Sequence, residues 1–380
     1  MVRIAMVAGE ASSDQLAAHL MIALKEKIPD AQFFGIGGTK MQAEGFDAWW
    51  PSEKLSVRGY AEVLRHYWEI SGIRRGLLRR LIEVKPDVFI GVDGYDFNLW
   101  LEKRLKRKGI PAIHFVSPSI WAWRKHRLKK IVGSVDEILA LYPFEPGHYE
   151  GTSVKCTYVG HPLADVIERD VSQREVREQL EIPQEVSVVA LLPGSRQSEL
   201  QYMAETFIQT AMVLHGLNPG IRFLVPLVSR ETRQQFEAAR WKLKADELPI
   251  TLMFGHAQEA VAASDVTLVA SGTATLETAL IGRPMVIAYK MSPWSWRIMK
   301  NMGYLPWVGL PNILAKQYVV PEFLQDDASP ENLAQALDNL LRDPSLQRRV
   351  GRVFSDMHLA LRQNTAMKAA AAILPYLGRG

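Results

Sequence analysis

Two short turns in the second half of this 380-residue chain have the residue types that hold a diphosphate. In Val269-Ala-Ser-Gly-Thr-Ala-Thr-Leu-Glu277 an apolar run stops at small residues and a helical pattern starts at once. Ser271, Gly272 and Thr273 let backbone amides approach a phosphate, and a helix N-terminus adds a favourable dipole. Glu277 lies four residues after Thr273, on the same helix face, where a carboxylate can hold two ribose hydroxyls. Leu191-Leu-Pro-Gly-Ser-Arg196 repeats the arrangement. There Gly194 and Ser195 permit close approach, and Arg196 offers a planar fork for phosphate oxygens. Either turn alone reads equally well as a capped helix. Two in one sheet, one with a cation and one with a carboxylate, favour a nucleotide diphosphate. Neither matches the dinucleotide fingerprint or the P-loop, which argues against NAD and ATP.

The first half offers a different chemistry. Asp93 ends the apolar run of Gly91-Val-Asp-Gly-Tyr-Asp-Phe-Asn98, where a carboxylate can take a proton from an attacking hydroxyl. Asp96 and Asn98 are alternatives that orient Asp93 or bind a sugar; helix capping is the plainer use of these acids. Glu10 and Ser12, in Ala8-Gly-Glu-Ala-Ser-Ser-Asp14, occupy another strand-to-helix turn, with Glu10 a candidate hydroxyl ligand. His114-Phe-Val-Ser-Pro-Ser-Ile-Trp-Ala-Trp-Arg124 brings a histidine, two tryptophans and an arginine to one strand end. Trp faces stack on sugar rings or line acyl chains, Arg124 can meet a phosphate, and an aromatic core is as good a reading of Trp121 and Trp123. The nine histidines lack metal-ligand pairing and there is no Asp-x-Asp element, so no metal site is expected.

The elements that must position these residues alternate from end to end. Strands are expected at 3–8, 32–35, 88–92, 112–116 and 137–140, then at 187–192, 222–225, 251–254, 266–269 and 285–288. Helical periodicity fills the gaps, notably at 15–27 and 100–108. Such alternation implies two doubly wound parallel sheets with helices on both faces, whose ligands bind beyond the carboxyl ends of strands. Gly160-His161-Pro162 opens the break between them, giving domains at 1–167 and 168–344. A last helical stretch within 345–380 has no strand after it and could pack back across that boundary.

With 48% apolar and 23% charged residues, long disorder is not expected. The single cysteine, Cys156, cannot make an intrachain disulfide and has no partner motif, so it reads as packing. No signal peptide or membrane-spanning run is recognisable, which gives a cytoplasmic expectation. The net charge of +4 is modest, but basic residues crowd the first half: Arg65, Arg74, Arg75, Arg79 and Arg80, then five between 103 and 108, then 124–130. That concentration fits an anionic partner, whether nucleic acid, phospholipid or a phosphorylated substrate. Residues 60–82 read as one or two amphipathic helices, with Gly72 a break point. Val63, Leu64, Tyr67, Ile70, Leu77, Leu78 and Leu81 share an apolar face that suits shallow insertion among anionic head groups, with Val63, Leu64, Tyr67, Ile70 and Leu78 expected to face the membrane. Covering a sheet is the commoner use of such a face.

Taken in order, these motifs resemble the lipid-A-disaccharide synthases, inverting glycosyltransferases with the two-domain GT-B architecture. The likeness runs through Val7 to Ser12, Lys40 to Gly45, Lys85 to Asp93, His114 to Arg124, Pro143-Phe-Glu145 and Val159 to Pro162. It continues through Leu192 to Arg196, Ala270 to Glu277 and Leu310 to Leu314, and so covers nearly the whole chain. The resemblance implies two Rossmann-like domains facing a cleft, a UDP-2,3-diacylglucosamine donor and a 2,3-diacylglucosamine 1-phosphate acceptor. The products would be a β-1,6-linked acylated disaccharide phosphate and UDP. It assigns Asp93 as base and Arg196 as the essential arginine. Ser271, Gly272, Thr273 and Glu277 match the UDP turn, and Asn312 a motif lining the same cleft. It also implies a homo-oligomer on the inner face of the cytoplasmic membrane, no cofactor and no nucleic acid. Two positions depart from the family pattern: Ser13 stands where Gly is usual, and Gly94-Tyr95 where Ala-Pro is usual. Other GT-B enzymes with UDP-N-acetylglucosamine-type donors, a peptidoglycan lipid glycosyltransferase or a 2-epimerase, would share the UDP site.

Overall fold

Uninterrupted Val-, Ile- and Leu-rich runs are too apolar to face water on either side, and each becomes an interior strand of a parallel sheet. A computed structural model describes residues 1–55, 60–121, 127–299 and 305–378, without the side chains of 60–67, 298 and 299. Its first sheet holds β1 (Arg3–Ala8), β2 (Gln32–Gly37), β3 (Asp47–Pro51), β4 (Val88–Val92), β5 (Ala112–Phe115), β6 (Glu137–Ala140) and β7 (Lys155–Tyr158). The second holds β8 (Val188–Leu192), β9 (Arg222–Leu227), β10 (Ile250–Phe254), β11 (Val266–Ala270), β12 (Met285–Tyr289) and β13 (Glu322–Leu324). The strand orders are β3-β2-β1-β4-β5-β6-β7 and β10-β9-β8-β11-β12-β13. Both sheets are doubly wound, as expected, and all their strands run parallel.

Chain order reverses between β1 and β4 in one sheet and between β8 and β11 in the other, which makes these the switch points where ligands bind. The turn carrying Glu10 follows β1, and Asp93 follows its neighbour β4, with Ala8 opposite Val92. The Gly194 turn follows β8 and the Ser271 turn follows its neighbour β11, with Leu192 opposite Val269. The two expected phosphate turns therefore leave adjacent strands at the same end.

The chain divides into two compact units: Met1–Asp165 with Leu361–Gly380, and Val166–Ala360. The last stretch is two helices, Pro344–Leu361 and Thr365–Ile373, separated at Asn364 in a left-handed conformation (φ 56°). The second packs Ala369, Ala370 and Ile373 into the first sheet's core with Leu20 and Leu24 of the helix Ala11–Lys27. Asp165 fixes the return, its two oxygens accepting the Asn364 and Thr365 amides at 2.9 and 2.7 Å. The His161 amide bonds the Leu361 carbonyl at 2.9 Å. A Cβ at Gly160 would collide with Gln363. The Gly160-His161-Pro162 break is thus where the returning chain docks.

The segment read as one or two amphipathic helices is a single helix, Tyr60–Val84, that runs through Gly72. Its C-terminal half covers the first sheet: Leu77 and Leu81 are fully buried, with Ile73 and Ile82 packed beside them. Leu78, expected to face a membrane, is half-buried and packs against that core beside Leu77 and Leu81. Ile70 is half-buried, and the side chains of Val63, Leu64 and Tyr67 lie outside the described ones. Two arginines of this helix stack on tryptophans, Arg74 over Trp100 and Arg80 over Trp49, 4.3 and 3.8 Å from the ring centres. No helix among the described residues is long and apolar enough to cross a membrane.

Candidate functional site

Asp93 leaves β4 in a left-handed conformation, φ 55°, followed by Gly94 at the same φ. Its N–H donates to the Phe115 carbonyl at 2.8 Å, so the backbone stays tied to β5 while the carboxylate is exposed. On β5 the next residue, Val116, also has positive φ, 82°. Asp tolerates that region, whereas for a β-branched residue it is a true outlier costing about 1–3 kcal/mol. The Val116 N–H donates to Leu139 on β6 at 3.0 Å, which holds the strained residue in place. Asp93 and Val116 line one pocket of about 370 Å³ with Tyr95, Ser117, Ser119 and Arg127.

Beneath this pocket the helix Tyr95–Lys106 turns polar residues toward the sheet. Asn98 donates from Nδ2 to the Asp93 carbonyl at 2.8 Å, and Glu102 Oε1 bonds His114 Nδ1 at 2.7 Å. Glu102 and His114 are 0% and 1% exposed. Burial pulls the His114 imidazole down, but the Glu102 carboxylate outweighs it and the net shift is upward; burial pushes Glu102 up as well. A Cβ at Gly91 would collide with Glu102, so the strand needs glycine there. His114 and Asn98, expected among acceptor-binding residues, therefore sit below the surface as supports of the Asp93 loop. Glu102 was missed, although Asn98, Glu102 and Leu105 fall on one helical stripe opposite a strand glycine. Asp96 is exposed in the first turn of the same helix. Trp123 and Arg124 lie outside the described residues.

Neighbouring turns are built by caps. Ser13 is buried in the first turn of its helix, where its Oγ donates to the Glu10 carbonyl and accepts from the Glu10 amide, at 2.8 and 3.0 Å. It has no positive φ, so serine in place of the family's glycine carries no backbone strain. Glu10 and Ser12 are exposed at this strand end. Asp14 accepts from the amides of Gly38, Lys40 and Met41, at 2.8–3.2 Å, and so fixes the Lys40 to Gly45 segment. Tyr95, the bulkier departure, forms one wall of the pocket with Arg127 over its ring at 4.5 Å. Cys156 is half-buried and burial pushes its thiol up to about 12, which leaves no thiolate for chemistry.

In the second unit Gly272 has φ 157° and ψ −161°, a region open essentially to glycine, and caps the helix Thr273–Ile281. Gly272 and Thr273 are exposed and Ser271 half-exposed, with the Ser271 N–H bonded to Ala288 at 3.1 Å. Glu277 lies one turn inside, and burial raises its pKa. It makes no ion pair among the described residues. A half-buried carboxylate without a cation is suited to accept hydroxyl hydrogen bonds.

The other turn holds a surprise. Glu199 Oε2 already accepts from the Ser195 and Arg196 amides, at 2.9 and 3.2 Å. A Cβ at Gly194 would lie 2.6 Å from the Glu199 Cβ, so that glycine serves the carboxylate's approach. An arriving phosphate would meet an anion on those amides; the Arg196 guanidinium, 64% exposed, lies 3.9 Å from the same Glu199 carboxylate and is the cation that a phosphate could draw away. Asn312 is fully buried. Its Nδ2 donates to the Val320 carbonyl and Glu322, and its Oδ1 accepts from Val319 and Val320, all at 2.7–3.0 Å. Every bonding capacity of that amide is used within the fold, so Asn312 shapes its loop and has no side-chain atom left for a donor.

Two parallel-sheet units with glycine turns on adjacent strand ends make this a GT-B glycosyltransferase fold. MurG from Acinetobacter baumannii shares it with a TM-score of 0.58, at 14% identity over 98% of this chain and 99% of that one. So does a UDP-GlcNAc 2-epimerase from Neisseria meningitidis bound to UDP-GlcNAc, with a TM-score of 0.62, at 12% identity over 99% of both chains. At the level of sequence, the family model for lipid-A-disaccharide synthetase matches residues 4–374. The lipid-A-disaccharide synthase of Dechloromonas aromatica (strain RCB) is 59% identical over 99% of both chains. That of Aromatoleum aromaticum (strain DSM 19018 / LMG 30748 / EbN1) is 58% identical over 99% of this chain and 96% of its own. The chain belongs to the lipid-A-disaccharide synthase family and is a hexosyltransferase.

Proposed function

We propose that this enzyme transfers 2,3-diacylglucosamine from UDP to the 6-hydroxyl of 2,3-diacylglucosamine 1-phosphate, with inversion, giving the β-1,6-linked disaccharide phosphate and UDP. The observation that carries the reading is Asp93: an exposed carboxylate at a switch point, on a pocket of about 370 Å³. The first unit takes the acceptor and the second the UDP-sugar. Asp93 removes the hydroxyl proton as the oxygen bonds to the anomeric carbon and the bond to the diphosphate breaks. Arg196 meets the charge that develops on the leaving diphosphate. The Ser271–Gly272–Thr273 turn approaches a phosphate and Glu277 accepts from the ribose hydroxyls. Glu10, Ser12 and Asp96, all exposed, contact the acceptor sugar in this reading. Asn98 and His114 support the loop that carries Asp93, as Asn312 supports its own.

Both lipid substrates stay in a bilayer while UDP stays in water. We therefore place the enzyme on the inner face of the cytoplasmic membrane, held by the N-terminal half of the Tyr60–Val84 helix, as a homo-oligomer. Trp68, 77% exposed on that half, supports the placement. The test of function is UDP release from the acylated donor. It should require the acylated acceptor; release without acceptor, or with a water-soluble acceptor alone, would overturn the reading.

A further inference from the structure

The Asp93 pocket has a second charged wall that the transferase reading leaves without a role. Arg127 lines it, and both Arg127 and Lys130 lie over the Tyr95 ring, 4.5 and 5.4 Å from its centre. Neither cation makes an ion pair with a described residue. Two cations against one ring, neither held by a carboxylate of a described residue, gather positive charge on this side of the pocket. The Tyr95 hydroxyl has no hydrogen-bond partner among the described residues. Ser117 and Ser119 complete this wall beside Val116. The opposite charge, the Asp93 carboxylate, lines the same pocket.

A pocket with a carboxylate and an unpaired guanidinium fits a ligand that carries a hydroxyl at one end and an anion at the other. A hexose phosphate with its reacting 6-hydroxyl and its 1-phosphate on opposite sides of one ring is such a ligand. The volume of about 370 Å³ is of the size of a small-ligand pocket. We propose that Arg127 binds the phosphate of the acceptor, with Lys130 adding charge and Tyr95 holding the guanidinium flat, and so makes the phosphate a condition for efficient transfer. Arg127 is then a specificity-determining residue, set apart from the Arg196 that serves the leaving group. This inference rests on the transferase reading above.

The test measures kcat/KM in neutral detergent micelles for two acylated acceptors, one with the 1-phosphate and one without, at fixed donor. Wild type should prefer the phosphorylated acceptor. In Arg127→Ala that preference should fall roughly ten- to hundredfold, the loss expected for one charge-assisted contact. The rate on the dephosphorylated acceptor and the KM for donor should hold, which also shows that the variant is folded. Arg127→Lys should restore part of the preference, since it keeps the charge and loses the fork. Equal losses on both acceptors would reduce Arg127 to a support of its loop and overturn the assignment, as would an unchanged preference. Weaker binding of Arg127→Ala to phosphatidylglycerol vesicles, with the acceptor preference intact, would assign the arginine to lipid head groups and also overturn it. If wild type transfers to neither acceptor, the transferase reading itself fails, an outcome distinct from all of these.

Discussion

Glu145 is a buried acid whose titration should be felt within the ordinary pH range. It is 1% exposed, accepts from Trp121 Nε1 at 3.1 Å and from the Tyr142 amide at 2.9 Å, and ties the pocket loop to the turn after β6. Burial pushes its carboxyl from 4.5 up to about 7 against those hydrogen bonds. Its buried neighbours stay outside that window, with His161 pushed down to about 4 and Cys156 up to about 12. A shift of this size corresponds to roughly 3 kcal/mol between the two protonation states. Between pH 4.5 and 7 the folded protein keeps a proton that the unfolded chain has lost. Stability therefore falls as pH rises through the window, by roughly 3 kcal/mol in full above it. Glu145→Gln removes the proton but turns an amide N–H₂ toward one of two donors, which costs about 1–3 kcal/mol at every pH. The variant should thus be less stable than wild type at pH 5, and the gap should close or reverse by pH 8. Urea denaturation at both pH values, followed by tryptophan fluorescence, measures the difference, in which groups common to both proteins cancel. A gap that stays constant or widens toward pH 8 would refute the argument.

Asp93→Asn should leave UDP binding intact while turnover drops about a hundred- to ten-thousand-fold, the usual loss for a general base. Near-normal turnover would move that role to Asp96. Arg196→Ala should lower turnover and weaken UDP binding together, read by calorimetry beside the rate assay. Exhaustive chelation should leave the initial rate unchanged if, as proposed, Arg196 and the N-terminus of the Thr273–Ile281 helix take the diphosphate charge; activity lost to chelator and restored by magnesium or manganese would contradict this. Trp68→Ser should weaken salt-sensitive binding to anionic vesicles with little change in melting temperature. Leu78→Ser should instead lower the melting temperature, by several degrees, because that side chain packs on the core beside Leu77 and Leu81.

The interior of both sheets could be read directly, because strands covered on both faces must be apolar throughout. All three strands that escaped notice are at sheet edges: β3, β7 and β13. Their runs, DAWWP, KCTY and EFL, mix polar and half-exposed residues, since an edge is covered less completely and needs no continuous apolar stretch. The positions of Asp93, Ser271 and Gly194 followed from strand ends. What their neighbours do did not, because it depends on contacts between segments far apart in sequence. His114 reads as a residue leaving a strand until Glu102 is seen across from it. Glu199 reads as an ordinary first-turn acid, yet it occupies amides that looked free for phosphate. Gly91, a glycine inside an apolar strand, was the one local sign that something polar approaches β4.

The return of the Thr365–Ile373 helix to the first unit has a consequence for how the protein is made. The first sheet's last strand is complete at Tyr158, but the helix that finishes its core follows only after the whole second unit, Val166–Ala360. At about 5–20 residues per second, the ribosome needs roughly 10–40 s to synthesise that stretch. Through that interval the second unit has all its residues before the first does, and the apolar seam around Leu20 and Leu24 is left without its cover. Order of synthesis and order of completion are thus opposed. A nascent chain stalled or clipped near Ala360 would carry a complete second unit and an open, aggregation-prone first one.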